Sequence, residues 1–330
     1  MKAIVIHQHG GPEVLQLEAI PTPTPQAKEV LVKNQAIGVN FVDTQHRAGL
    51  NYPVQLPLIP GIEAAGLVEA VGPEVSEFSV GDRVAYAGYM GGNYAQYTVV
   101  PAEKLIPVPS RLTFEAAAAT LLQGMTAHCL AYSVYPIKAG DRVLIQAAAG
   151  GVGLLLVQLA KQRGATVIGA VSTPEKAELV RAVGADHVLV HNQVDFEIET
   201  MRLTQGEGVH AVYDSVGRPT FDKGLKVLRA QGYMVVFGLS GGPVPLFDIN
   251  RLSGITGSGH KGSLFLTWAT LSDYAAKRED LLWRAGEVFD RVAAGSLTVP
   301  VARSLSLSEA AEAHRLIESR QVIRKVLLVP

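Results

Sequence analysis

Gly140-Asp-Arg-Val-Leu-Ile-Gln-Ala-Ala-Ala-Gly-Gly-Val-Gly153, continuing Leu-Leu-Leu-Val-Gln158-Leu-Ala-Lys161, sets an apolar run, a glycine cluster and a second apolar run in immediate succession. The segment reads as strand, tight turn and helix. Gly150, Gly151 and Gly153 then sit where backbone N–H groups at a helix N-terminus face an anion, and the missing side chains let a pyrophosphate come close. The dinucleotide fingerprint carries a glycine where this chain has Ala148, and a glycine cluster by itself is often just a turn. Context favours the nucleotide reading, because the cluster follows a strand pattern, opens an apolar helix and heads a series of strand-helix units.

Those units continue downstream. Strand patterns at Arg142 to Gln146, Thr166 to Val171, His187 to Val190, Ala211 to Asp214 and Tyr233 to Phe237 alternate with helical stretches. Such alternation is that of an α/β doubly wound parallel sheet with helices on both faces. Upstream of Pro109 the rhythm differs. Short strands at Lys2 to His7, Glu29 to Val39, Gly61 to Val71, Arg83 to Tyr86 and Tyr94 to Val100 are punctuated by Gly and Pro, an antiparallel barrel-like or sandwich-like pattern. A helix is expected over Thr113 to Tyr132, two more near Arg278 to Ala294 and Ser308 to Ser319, and a closing strand near Lys325 to Val329, in a tail that rejoins the first domain.

Composition excludes several classes of partner. With 29 Lys and Arg against 30 Asp and Glu, the formal charge is -1, and no basic run offers a footprint for nucleic acid or an anionic membrane. No apolar run approaches the roughly 20 residues of a membrane span, and no leader pattern is present, so a cytoplasmic protein is expected. The single Cys129 lies in an apolar helical run, where a thiol more often packs than reacts.

The strand after the glycine helix ends Ile168-Gly-Ala-Val-Ser172. An acidic residue about 20 positions beyond the glycines would bind the ribose 2′-hydroxyl of NAD. Ser172 stands there instead, followed by Thr173 and Lys176. Without a carboxylate to repel a 2′-phosphate, hydroxyl and ammonium donors suit NADP. Lys176 also fits a solvated helix lysine.

With these residues in view, the chain resembles the zinc-independent quinone oxidoreductase (zeta-crystallin-like) branch of the medium-chain dehydrogenase/reductase superfamily over its whole length. The resemblance is carried by the Gly140 to Lys161 spacing, in which Ala148 is normal. It extends to Gly10-Gly-Pro-Glu-Val-Leu15, Ala36-Ile-Gly-Val-Asn-Phe-Val-Asp43, Gly61-Ile-Glu-Ala-Ala-Gly66, Val80-Gly-Asp-Arg-Val84 and Val212-Tyr-Asp-Ser-Val-Gly217. It implies a GroES-like, mostly antiparallel β catalytic domain over 1–122, a Rossmann NADP-binding domain over 123–266 and a C-terminal segment, 267–330, returning to the catalytic domain. It further implies NADPH contacts at Asn40, Gln123, Thr126, Ala149 to Gly153 including Val152, Ser172, Thr173, Lys176, Ser215, Val216, Gly217, Phe237, Gly238, Leu239, Ser240, Phe265, Leu266 and Thr267, with Arg320 a weaker contact. Bacterial members place a tyrosine after the third cofactor strand, where this chain has His191. Another tyrosine expected after Gly124 falls near His128 or Cys129.

Zinc members of the superfamily use a Gly-His-Glu segment and a four-cysteine lobe. This chain reads Gly61-Ile62-Glu63 and has one cysteine, so no metal is expected. His7 and His9 lie two apart on one strand face and read as surface residues. Gly238-Leu-Ser-Gly-Gly242 is superficially a serine elbow, but it follows the fifth cofactor strand, which argues against a hydrolase. Asn40, Asp43 and Tyr52 are left as the candidate catalytic residues bordering a substrate. Asn40 and Asp43 fit helix capping near Phe41 as well as ligand contact, and Tyr52 fits a surface loop.

The expected activity is NADPH-dependent reduction of a quinone in the interdomain cleft. An enal or enone reductase on the same scaffold is the alternative, and a non-enzymatic nucleotide-binding, RNA-binding or structural role is the third reading. The segment Gly262 to Trp268 reads as the outer strand of the cofactor sheet, and the resemblance implies a homodimer paired along it.

Overall fold

Glycine and proline punctuation divides the chain much as it divides the structure. The computed structural model describes residues 1–88, 92–255, 261–319 and 325–330. Met1–Met125 together with Ala275–Pro330 make one compact unit, and Thr126–Tyr274 make the other.

The first unit is built on the strand Glu29–Val39, whose alternate residues Val30, Val32, Ile37 and Val39 enter an apolar core. Glu63–Val71 lines one side of it, antiparallel, followed by Arg83–Ala87 and Ile106–Pro107. Its other side is shared. Tyr97–Pro101 pairs with its first half and Lys325–Val329 with its last residues, both antiparallel. Val301–Ser306 completes the edge, parallel to Lys325–Val329, so the sheet is mixed rather than wholly antiparallel. A separate ladder pairs Lys2–Val5 with Gln16–Ala19. The helix Ala310–Glu318 buries Ala310 and Ala313 against the same core.

The second unit holds six strands in the order His187–Val190, Thr166–Val171, Arg142–Ile145, Val209–Asp214, Leu228–Val236, Phe265–Trp268, all parallel. Strand order reverses beside Arg142–Ile145, which places a topological switch point at the carboxyl end of that strand. Right-handed crossovers then put the helices Gly151–Gln162 and Pro174–Ala182 on one face and Phe196–Leu203 and Phe221–Lys226 on the other. Leu144, Ile168, Val212 and Met234 of the sheet pack with Phe196, Phe221 and Leu225 of the second helical layer.

Two expectations are adjusted, and one strand was not anticipated. The strand expected from Tyr233 begins at Leu228, because Leu228 already pairs with Val209; the ladder then shifts register before Ala211 pairs with Tyr233, and Gln231 within the irregularity takes a left-handed φ of 61°. The helix expected to Tyr132 is α-helical over Phe114–Cys129 and closes with a wider π-turn, Leu130–Val134. Val301–Ser306 carried no apolar alternation to mark it, and its strand geometry comes from its partner.

Candidate functional site: a nucleotide turn and a buried polar cluster

The glycine turn has the geometry its sequence implies. Gly150 is the N-cap of Gly151–Gln162, in extended conformation. Ala147 holds φ at 50°, a left-handed conformation that costs a residue with a Cβ roughly 1–2 kcal/mol. A Cβ on Gly153 would lie 2.6 Å from the Ala147 carbonyl oxygen and 2.8 Å from the Ala148 backbone, so only glycine lets the helix start close against the turn. The N–H groups of that first helical turn have no intrahelical acceptor, and with the helix dipole they form a receptor for an anion.

At the end of the neighbouring strand Thr166–Val171, Ser172 is exposed and its Oγ accepts a hydrogen bond of 3.1 Å from Lys176 Nζ. Thr173 is the N-cap of Pro174–Ala182 and accepts from Lys176 N at 3.4 Å. A hydroxyl and an ammonium thus meet at the carboxyl end of the strand that follows the glycine helix. His191 follows the strand His187–Val190 with its ring edge-on to Phe196, and partial desolvation, then the charge of Lys223, holds its imidazole below the ordinary pKa.

Two further predicted segments are tied to each other. Ser240 N and Oγ both donate to the Ser215 carbonyl, at 3.0 and 3.1 Å, and Gly241 N donates to the Val216 carbonyl at 2.7 Å. The buried Asp214 arranges the first of these loops, accepting from Val216 N at 2.6 Å, Gly217 N at 3.1 Å and Thr220 Oγ1 at 2.7 Å. Phe237, Gly238 and Leu239 lie in the same loop pair. Phe265, Leu266 and Thr267 sit on the adjoining edge strand, parallel to Tyr233–Val235. Gln123 and Thr126 lie on the helix Phe114–Cys129, and Gln123 Oε1 is buried without a hydrogen-bond partner. Arg320 lies outside the described residues.

In the first unit, Asn40 is the N-cap of the helix Phe41–Ala48, and Asp43 Oδ2 accepts from Asn40 N at 2.9 Å, so the capping reading of this pair is realised. Asp43 has no solvent exposure. Tyr52 is half-buried in the following loop with its ring edge-on to His46, centroids 6.1 Å apart, and burial raises its phenol pKa.

Around Asn40 the structure assembles a cluster that the sequence did not announce. Lys325 Nζ donates to Asn40 Oδ1 at 2.7 Å and to Glu63 Oε2 at 2.6 Å. Glu63 also accepts from Asn40 Nδ2 at 3.0 Å and, through Oε1, from Leu122 N at 2.6 Å. On the other side Tyr94 Oη donates to Asp43 Oδ2 at 3.0 Å and meets His314 Nε2 at 3.1 Å, while Arg47 Nη1 reaches His314 Nδ1 at 3.2 Å. Arg47 is paired with Glu318 at 2.5 Å.

The directions of these bonds follow from donor chemistry. Arginine only donates, so His314 Nδ1 accepts, and the neutral imidazole carries its proton on Nε2 toward Tyr94. Burial, then the charge of Arg47, pushes His314 down to about 3, which keeps the ring neutral. Burial pushes the Asp43 carboxyl up to about 7, against the Asn40 N–H, the Tyr94 hydroxyl and the charge of Lys325, with Glu63 adding to the rise. One local signal existed, an acid at the head of the apolar strand Glu63–Val71. Lys325 looks in sequence like a solvated strand terminus.

Residues 26–110 match the alcohol dehydrogenase GroES-like domain and residues 151–278 the zinc-binding dehydrogenase domain. Quinone oxidoreductase 1 of Escherichia coli K12 is 40% identical over 329 residues, covering 99% of each chain. The chain belongs to the quinone oxidoreductase branch of the medium-chain dehydrogenase/reductase superfamily. A 2-haloacrylate reductase from a Burkholderia species is 41% identical over 334 residues, covering 99% of this chain and 98% of that one. The crystal structure of Escherichia coli quinone oxidoreductase complexed with NADPH shares 40% identity and a TM-score of 0.94, with 100% of both chains covered. In this branch member no group of three His, Cys, Asp or Glu side chains converges to hold a metal ion among the described residues. The Glu63 carboxylate of the Gly-Ile-Glu segment is occupied by Lys325.

Proposed function

We propose that the protein is an NADPH:quinone oxidoreductase that works without a metal. The observation that carries the cofactor choice is the Ser172–Lys176 pair, a hydroxyl and an ammonium 3.1 Å apart where an NAD site would carry an acid. The glycine turn fits the pyrophosphate, since the Gly153 position has no room for a Cβ and the first N–H groups of a helix lack intrahelical acceptors. Full-length likeness to quinone oxidoreductases supports the acceptor.

NADPH supplies the hydride. The quinone spreads developing charge over a conjugated ring that becomes aromatic, so placement of the two reactants does most of the catalysis. The turn and the loops at Ser215–Gly217 and Phe237–Ser240 hold the cofactor, and Asn40, Asp43 and Tyr52 belong to the substrate side. Asp43 acts there through the Asn40 backbone, because it is wholly buried. The phenol of Tyr52, raised by burial, stays protonated at neutral pH and donates a hydrogen bond, with water as the other proton source. The units Met1–Met125 with Ala275–Pro330 and Thr126–Tyr274 serve as catalytic and cofactor domains.

A second reading is reduction of an activated double bond, favoured by the 2-haloacrylate reductase relative. Initial rates of NADPH oxidation with benzoquinones, naphthoquinones, 2-haloacrylates and enones separate the two. Brisk turnover of a haloacrylate or enone with none of a quinone moves the assignment. Activity is expected to survive chelation, and stoichiometric zinc after dialysis contradicts the metal-free reading. No helix among the described residues is long and apolar enough to cross a membrane. We further propose a homodimer through the edge strand Phe265–Trp268, which exposes Phe265, Leu266 and Trp268 and, among the described residues, pairs on one side only; light scattering that finds only monomer at micromolar concentration overturns it.

A further inference from the structure

Asn40 is held from several sides by groups whose hydrogen-bonding character allows no exchange. An ammonium only donates, so the amide atom 2.7 Å from Lys325 Nζ is the oxygen. A carboxylate and a carbonyl only accept, so the atom 3.0 Å from Glu63 Oε2 and 3.1 Å from the Gly38 carbonyl is the nitrogen. Both hydrogens of Nδ2 are therefore used. The Asn40 backbone N–H is given to Asp43 and its carbonyl accepts from Asp43 N at 3.0 Å. On the side chain of this 5% exposed residue, the second lone pair of Oδ1 takes no further hydrogen bond among the described residues.

We propose that Lys325 and Glu63 are positioning residues that present Asn40 to the reaction as a hydrogen-bond acceptor only, and that its ligand partner is a hydroxyl group. The inference rests on the reading that Asn40 borders the bound reactants. It has a chemical consequence. A quinone has carbonyl acceptors and no donor, so Asn40 does not bind the substrate oxygen. Two hydroxyl sources remain, a ribose hydroxyl of the cofactor and the O–H of the hydroquinone product.

Three measurements test this on the full-length protein: the NADPH dissociation constant by nicotinamide fluorescence, the inhibition constant of hydroquinone as product, and the KM for quinone. Asn40→Leu removes the acceptor. A loss of about tenfold in NADPH affinity, with quinone KM unchanged, assigns the ribose hydroxyl. An equal loss in hydroquinone affinity, with NADPH binding unchanged, assigns the product. A rise in quinone KM alone, or no change in any of the three, overturns the inference. Because Asn40→Leu leaves Lys325 short of a partner and threatens folding, Glu63→Gln with Lys325→Met forms the second arm, in which both charges leave together. That pair is expected to reproduce the same selective loss, and adding Asn40→Leu to it should add little. Full additivity shows that Lys325 and Glu63 do not act through Asn40 and overturns the positioning claim. A wild-type protein that neither binds NADPH nor turns over quinones fails the functional reading instead, and that arm is read first.

Discussion

Lys325 and Glu63, 262 residues apart in sequence, form an ion pair of 2.6 Å in which the lysine side chain is 1% exposed and the glutamate 0%. Burying both charges is costly, and the pair persists because Asn40 and the Leu122 N–H complete its hydrogen bonds. Lys325→Met strands a carboxylate in the core and is expected to destabilise the protein by about 3–5 kcal/mol. Chemical denaturation with a linear extrapolation measures it, and the Glu63→Gln, Lys325→Met double variant should recover most of the loss. Equal loss in the double variant contradicts an electrostatic origin.

Asp43 and His314 pull the pH dependence of stability in opposite directions. Asp43, raised from 3.8 to about 7, binds its proton more tightly in the folded state, so its stabilising contribution is complete below about 3.8 and is lost as pH rises through about 7. His314, lowered from 6.5 to about 3, contributes stability that is present above 6.5 and lost as pH falls toward 3. Asp43→Asn leaves the histidine term alone. Its stability should therefore climb more steeply than wild type between pH 4 and 7. Denaturation midpoints across that range check it, and parallel curves would mean an ordinary carboxyl.

Lys176→Ala removes the ammonium beside Ser172. Charge-assisted hydrogen bonds of about 1.5–3 kcal/mol imply a preference for NADPH over NADH on the order of tenfold to a hundredfold, which this substitution should erode. NADH use should stay nearly unchanged. The ratio of kcat/KM for the two cofactors is the readout, and equal constants already in the wild type would defeat the assignment.

Gly153→Ala drives a methyl group to 2.6 Å from the Ala147 carbonyl oxygen and so displaces the helix start. NADPH affinity should fall more than tenfold while thermal stability drops by a smaller proportion, because the helix can shift on its apolar face but the N–H groups cannot follow the phosphates. Calorimetric titration with NADPH measures this. Unchanged affinity would place the pyrophosphate elsewhere.

Local pattern alone determined the strand-turn-helix unit at Arg142–Gln162, the strands Glu29–Val39, Thr166–Val171 and His187–Val190, and the closing strand Lys325–Val329. Apolar alternation, glycine placement and the Asn40–Asp43 cap act between neighbours a few residues apart, so their signal is written in consecutive letters. Ser172 was legible for the same reason, as an absent acid at a fixed distance from the glycines. Tertiary structure decided what Lys325, Glu63, Tyr94, Arg47 and His314 do. Their meaning depends on strands and helices that meet only after the chain's two ends share one sheet and one core. A buried charge is tolerated only where partners converge from several elements, and the sequence around Lys325 shows none of them. The strand Val301–Ser306 belongs to the same class, since an edge of hydrogen-bonding groups on Lys325–Val329, rather than its own side chains, makes it extended.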